Sequence, residues 1–202
     1  MNTYLNDFLA EDRGMSVEFA TFVVLLFGLG NFLGLVLAGV GAQYLYRVDK
    51  RYPALLAGTA SIFACVPFWV ILNQLNNSSS FAFIALISIL GGTASGVTGP
   101  IIKATLQNVT LPNMRGQAFA FFNTADDFGK GLGPVFVASL ITSMGGRTPA
   151  FNFGTLGWAV CGVFNLAAFF TAERDEQKVQ DSLSRSLSRR LEPLGDNSSF
   201  EA

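Results

Sequence analysis

Histidine is missing from this 202-residue chain, and cysteine occurs only twice, as Cys65 and Cys161, each inside an apolar run. That inventory excludes a zinc site built from the usual nitrogen and sulfur ligands, and it excludes a disulfide framework. It also removes an intramembrane hydrolase of the serine–histidine kind. Asp126 and Asp127 are neighbours on one segment, so they do not form the facing dyad of an intramembrane aspartyl protease. No catalytic residue, resident metal or cofactor is expected. Charge is scarce as well: Asp, Glu, Lys and Arg together make up 13% of the residues, about half the share of a soluble domain. With a formal net charge of −1, the chain has no electrostatic footprint for nucleic acid. A cleavable signal peptide is not expected at this start, because Asp7, Glu11 and Asp12 occupy the place where one carries its basic and apolar regions.

Apolar residues fill the space that charge leaves. They make up 50% of the chain, and Phe alone contributes 20 positions. They gather into five long segments, at about 17–46, 53–72, 81–102, 117–144 and 151–171. Each reaches the roughly 20 residues that a helix needs to cross about 30 Å of hydrocarbon. Membrane β-strands would instead alternate apolar and polar residues over about ten positions. The expected class is therefore all-α, a polytopic transmembrane helix bundle of five complete spans, integral to a membrane with the lipid bilayer as its first partner. Residues 1–16 read as the end of a helix followed by an extracytoplasmic loop, and residues 173–202 as a cytoplasmic tail.

Topology follows from Lys and Arg near the span ends. Arg47, Lys50 and Arg51 crowd the first connection, and Lys103 and Arg115 flank the third. These two connections are expected on the cytoplasmic side. The second connection, NQLNNSSS, is uncharged and the fourth, GGRTP, holds only Arg147, so both are expected outside with the acidic start. Sequons at Asn76, Asn77, Asn108 and Asn197 offer an independent check, since only extracytoplasmic sites receive an N-glycan. A glycan on Asn108 or Asn197 would contradict this orientation.

Small residues spaced four apart let membrane helices approach closely. Gly30 with Gly34, Gly92 with Gly96, and Gly129 with Gly133 have that spacing and predict close packing. Gly99-Pro100 and Gly133-Pro134 predict kinks, because each proline removes a backbone donor and crowds the preceding turn. Two meanings fit such interruptions: ordinary tolerance of Pro and Gly in membrane helices, or helices that move or line a solute path.

The fourth segment, QAFAFFNTADDFGKGLGPVFVASLITSM, carries Asp126, Asp127 and Lys130 within it. Helical spacing places both carboxylates beside the ammonium, with Asn123, Asp127, Lys130 and Pro134 along one stripe. A rise of about 1.5 Å per residue puts the trio about 14 to 20 Å into the span. Three unpaired charges at that depth would cost on the order of 8 to 10 kcal/mol, so the stripe is expected to face protein or a wet cavity. Again two readings fit: an ion pair that locks the helix, or a role in a pathway for solute or protons, with Asn123, Asp126, Asp127 and Lys130 as its residues.

The basic hairpin YLYRVDKRYP, the helix GGTASGVTGP and above all the string NVTLPNMRGQAFAFFNTADDFGKGLGP resemble the major facilitator superfamily of secondary transporters. The similarity is to its C-terminal half, in particular to spinster-like and related protist or algal members, and it covers about residues 1–172. It implies that the five spans correspond to helices eight to twelve and residues 1–14 to the end of helix seven. It also implies a central site reached by alternating access between two six-helix halves. Asp49, Lys50 and Arg51 fit the acid–base pattern of the family's cytoplasmic gating loop, although Leu45 stands where that pattern has glycine. Those charges equally suit ordinary positive-inside bias. The first half of such a carrier is not in the chain, which reads as a truncated product or an incomplete gene model.

Beyond Glu173 the composition turns charged and Ser-rich, and the tail is expected to be largely disordered. Val179, Leu183, Leu187 and Leu191 nonetheless recur at every fourth position, the pattern of a short amphipathic helix on a membrane surface. The functional expectation is half of a secondary transporter for a small organic or amphipathic solute, with or without protons, inactive alone and partnered by a missing N-terminal half. The alternative is a non-transporting membrane partner that binds another transporter chain.

Overall fold

A computed structural model describes residues 2–76 and 79–195. Asn77 and Asn197, two of the sequons, lie outside the described residues. Helix α1 (Asn2–Asp7) passes into a π-helical turn at Phe8–Asp12, and Gly14 then turns the chain with a φ of 66°. Helix α2 (Val17–Val48) starts where the Ser16 hydroxyl accepts the Phe19 amide at 3.2 Å, satisfying one of the free donors of the first turn. Helix α3 (Tyr52–Asn73) has Pro53 in its first turn, where no donor is needed. Helices α4 (Phe81–Asn108) and α5 (Arg115–Met144) follow, and α5 stops at Gly145, left-handed with a φ of 73°. Helix α6 (Arg147–Ala168) and helix α7 (Ala172–Gly195) complete the order.

Four of these helices, α2, α3, α4 and α6, are long and apolar enough to cross a membrane. Helix α5 matches them in length but falls short in apolarity, because Asp126, Asp127 and Lys130 sit among Gly, Asn and Thr. Thus the fourth predicted span forms as a helix without the hydropathy of a lipid-facing one.

The core is built on glycine. Helix α2 crosses α4 so closely that a methyl group on Gly30, Gly34, Gly92 or Gly96 would meet backbone atoms of the facing helix. Two of the three predicted glycine pairs therefore form a single crossing, α2 supplying one and α4 the other. Gly129 and Gly133 on α5 face open space. A second close approach was not signalled by any four-residue spacing: Gly58 on α3 meets Gly162 on α6, and an added carbon on either would lie 2.9 Å from the other's carbonyl oxygen. Polar side chains fasten these contacts. Asn31 donates to Ser95 at 3.1 Å, Ser61 and Thr98 share a buried hydrogen bond of 2.7 Å, and Asn73 and Asn152 exchange amide hydrogen bonds of 2.8 and 3.0 Å. Pro67, inside α3, is buried in the same packing.

Charged contacts between separate elements sort to the two ends of the bundle. At one end Arg147 pairs with Glu11 at 2.7 Å and with Asp12 at 3.1 Å, while Arg13 donates to the Leu72 carbonyl at the end of α3 and stacks over Phe8 at 5.4 Å. At the other end the α2–α3 hairpin meets α7: Lys50 pairs with Glu176 at 2.8 Å and Arg51 pairs with Glu173. Where a largely disordered tail was expected, the described residues form helix α7 from Ala172 to Gly195. Its amphipathic spacing, together with acids in the first turn that complement both the helix dipole and the basic hairpin, accounts for the order.

Candidate functional site

The ionic group of α5 assembles as its spacing demands. Lys130 Nζ lies 2.6 Å from Asp126 Oδ2 and 3.9 Å from Asp127 Oδ1. Because i and i+4 stack on one face while i and i+3 are offset, Asp126 holds the ammonium and Asp127 stands to its side. An open cleft of about 680 Å³ runs along this face, lined by Tyr4 from α1 and by Asp126, Gly129, Lys130, Pro134 and Val137 from α5. Of the stripe expected through Asn123, Asp127, Lys130 and Pro134, the cleft is lined by Lys130 and Pro134 together with Asp126, and by neither Asn123 nor Asp127.

The expected burial of these charges is not observed within the chain. The side chains of Asp126, Asp127 and Lys130 are 44%, 77% and 68% exposed, Asn123 is exposed, and no residue of α5 is buried. The physical reason lies in the neighbours. Helix α5 rests on α6 and only lightly on α4, and Tyr4 alone approaches the ionic face from α1. Phe121, Phe128, Val135 and Phe136 are likewise left 65% to 79% exposed.

The two predicted kinks behave alike in the backbone. Helix α4 continues through Gly99-Pro100 and α5 through Gly133-Pro134 without a break in helical assignment. Pro100 borders a second cavity of about 200 Å³, where α2, α4 and the start of α7 meet. Of the predicted gating-loop residues, Lys50 lines that cavity. Asp49 accepts the Arg51 amide at 2.8 Å and closes the hairpin turn, leaving Lys50 and Arg51 to reach α7. Glu176, 5% exposed, also accepts the Tyr46 hydroxyl at 2.6 Å. Sequence reasoning did not single out Glu173 and Glu176. Their signal was two acids at helical spacing directly after the last apolar segment, opposite two bases in a short hairpin.

Close-packed apolar helices, polar hydrogen bonds between them and interhelical charged contacts at the two ends define an integral, multi-pass membrane protein of the helical-bundle class. The family model of the Major Facilitator Superfamily matches residues 1–197, and the chain belongs to that superfamily. It is also similar to the "Hexuronate transporter" of Bacillus subtilis (strain 168), with 22% identity over 158 residues. That match takes in 74% of this chain and 36% of the relative, so the chain spans about a third of the length of the curated relative it matches. No solved structure matches it.

Proposed function

We propose that this chain supplies the C-terminal part of a secondary transporter, in which the Asp126–Lys130 face of α5 lines the path of a small organic solute bearing a carboxylate. The observation that carries this reading is an ion pair at the middle of a long helix, opening on a cleft that no apolar side chain seals. In a bilayer such a face is tolerated only against protein or water. Lys130, held by one carboxylate at 2.6 Å, keeps two of its three donors for another acceptor. The named relative moves a hexuronate, a carboxylated sugar, which fits a cationic group in the cleft. Alternating access would expose this face to a facing half that also covers it, and α2–α6 would then correspond to helices eight to twelve. Asn123, about one turn before Asp126, and Asp127, directly after it, would meet solute or protons from the flank of this face. Alone, the chain is expected not to transport.

Uptake of labelled hexuronate into proteoliposomes tests this reading, with the chain alone and together with a separately expressed six-helix N-terminal half from a related carrier. Transport is expected only with both present, and Lys130→Gln should raise KM for carboxylated solutes by about tenfold, the loss of one charge-assisted hydrogen bond. Unchanged uptake in the Asp126→Asn, Asp127→Asn double variant and in Lys130→Gln would end the pathway assignment. A second reading draws on the uncovered faces of α5: a membrane partner that binds another transporter chain without transporting. Stable copurification with that half and no uptake would favour it.

A further inference from the structure

Helix α7 has two halves of opposite character. Residues 172–181 carry Glu173, Asp175, Glu176 and Asp181 against Arg174 and Lys178, whereas residues 182–189, SLSRSLSR, carry Arg185 and Arg189 and no acid. The acidic half is docked: Glu173 and Glu176 hold Arg51 and Lys50, and Val179, 8% exposed, closes a groove against Val109, Leu111 and Met114 of the α4–α5 connection. Among the described residues, the basic half has no such partner. Leu187 is 60% exposed, and Arg185 and Arg189 are exposed.

Geometry connects the halves. At about 100° per residue, Glu176, Val179, Leu183 and Leu187 fall within an arc of about 80°. The arc that turns Glu176 and Val179 toward the bundle therefore turns Leu183 and Leu187 the same way, about 12 Å further along the axis for Leu187 relative to Val179. Only Phe169, Phe170 and Thr171 separate α7 from the apolar helix α6, so α7 starts at the membrane boundary. A helix docked under the ends of membrane-crossing helices, and extending past them, presents that arc to the lipid headgroups.

We infer that the outer half of α7, residues 182–189, is a membrane-surface anchor that seats Leu183 and Leu187 among the lipids of an anionic leaflet while Arg185 and Arg189 stay in the headgroup field. Long cationic side chains reach that layer from the outer arc, and the distance is within a Debye length of the surface. Each arginine near an anionic surface is worth on the order of a fivefold preference, so the pair gives roughly 25-fold over a neutral membrane. A second copy is disfavoured as the occupant, because two such basic halves repel each other and neither carries an acid to offset it.

The test uses the full chain in nanodiscs of phosphatidylcholine alone or with 30% phosphatidylserine. In a Cys65→Ala, Cys161→Ala background, nitroxide labels at Leu187→Cys and Ser188→Cys report accessibility to a water-soluble relaxant and to oxygen. The expected result is that the label at 187 gains oxygen and loses relaxant accessibility only with phosphatidylserine, reverting in 0.5 M salt or with Arg185→Gln and Arg189→Gln, while the label at 188, on the far side, stays water-accessible. On the unmodified chain, trypsin cleavage after Arg185 and Arg189 should slow on the order of tenfold in the anionic discs. A water-accessible label at 187 in both compositions, burial independent of lipid charge, or spin–spin broadening that grows with protein density would each overturn the anchor. None of these readouts involves transport, so they stand or fall apart from the solute pathway.

Discussion

Substituting Gly92 by Ala adds one methyl group to the α2–α4 crossing, where it runs into the Phe27 carbonyl oxygen and lies 2.8 Å from the Asn31 amide nitrogen and 3.0 Å from the Phe27 carbonyl carbon. Ordinary contact between such atoms needs about 3.5 Å or more, so the helices must part by on the order of an ångström. All three obstructing atoms belong to backbone, which cannot rotate away as a flexible side chain would. Overpacking of this kind costs about 1 to 3 kcal/mol. Separation also stretches the Asn31–Ser95 hydrogen bond of 3.1 Å, a contact of the type that averages about 0.6 kcal/mol in membranes. Alanine returns up to about 1 kcal/mol of helix propensity, which leaves a net loss of about 1 to 2 kcal/mol. Gly99 and Gly129 are the controls: an added carbon meets nothing within 4 Å at either, so Ala there should be neutral or slightly stabilising. Reversible unfolding by sodium dodecyl sulfate in mixed micelles, followed by circular dichroism, reads all three. If Gly92→Ala and Gly99→Ala agree within about 0.5 kcal/mol, close backbone approach is not what holds α2 to α4.

At the α7 end, Lys50→Met should loosen the docked half more than Glu176→Gln does. It leaves a carboxylate that is 6% exposed without its cation, held by the Tyr46 hydroxyl, whereas Glu176→Gln returns a half-exposed ammonium to water and keeps an amide oxygen for Tyr46; the respective costs are about 1 to 2 kcal/mol and below about 1 kcal/mol. Hydrogen exchange of the amides at 173–179 checks the order, and a reversed ranking would refute it. At the opposite end, Arg147→Gln should speed exchange across the Phe8–Asp12 turn by less than about fivefold, with the difference vanishing at high salt, because the pair with Glu11 and Asp12 is solvent-exposed. Glycan mapping after expression in a eukaryotic secretory membrane addresses sidedness. Asn108, the last residue of α4 and a wall of the α2–α4–α7 cavity, should remain unmodified, and a glycan there would invert the proposed orientation.

Several levels of the fold were legible in the amino-acid sequence. Continuous apolarity set which segments become long helices, because a helix in lipid must satisfy its own backbone, and the five predicted segments all appear as helices. The spacing of Asp126, Asp127 and Lys130 set their pairing, since helical neighbours depend only on the local backbone. The four-residue glycine pairs announced close packing, but the pattern was the same for Gly30/Gly34, Gly92/Gly96 and Gly129/Gly133. Only the facing helix tells a used pair from an unused one.

Sequence by itself thus determined the five long helices α2–α6, the positions of small residues and the local ion pair on α5, all of which arise from interactions within a few turns. Tertiary structure alone decided that Gly58 meets Gly162 across about a hundred residues of chain, that the cleft face of α5 runs through Asp126, and that Glu173 and Glu176 draw α7 onto the α2–α3 hairpin. Those contacts join residues far apart in the chain, where periodicity carries no information. Charge can favour such a pairing, but only the crossing of the helices brings the partners within reach.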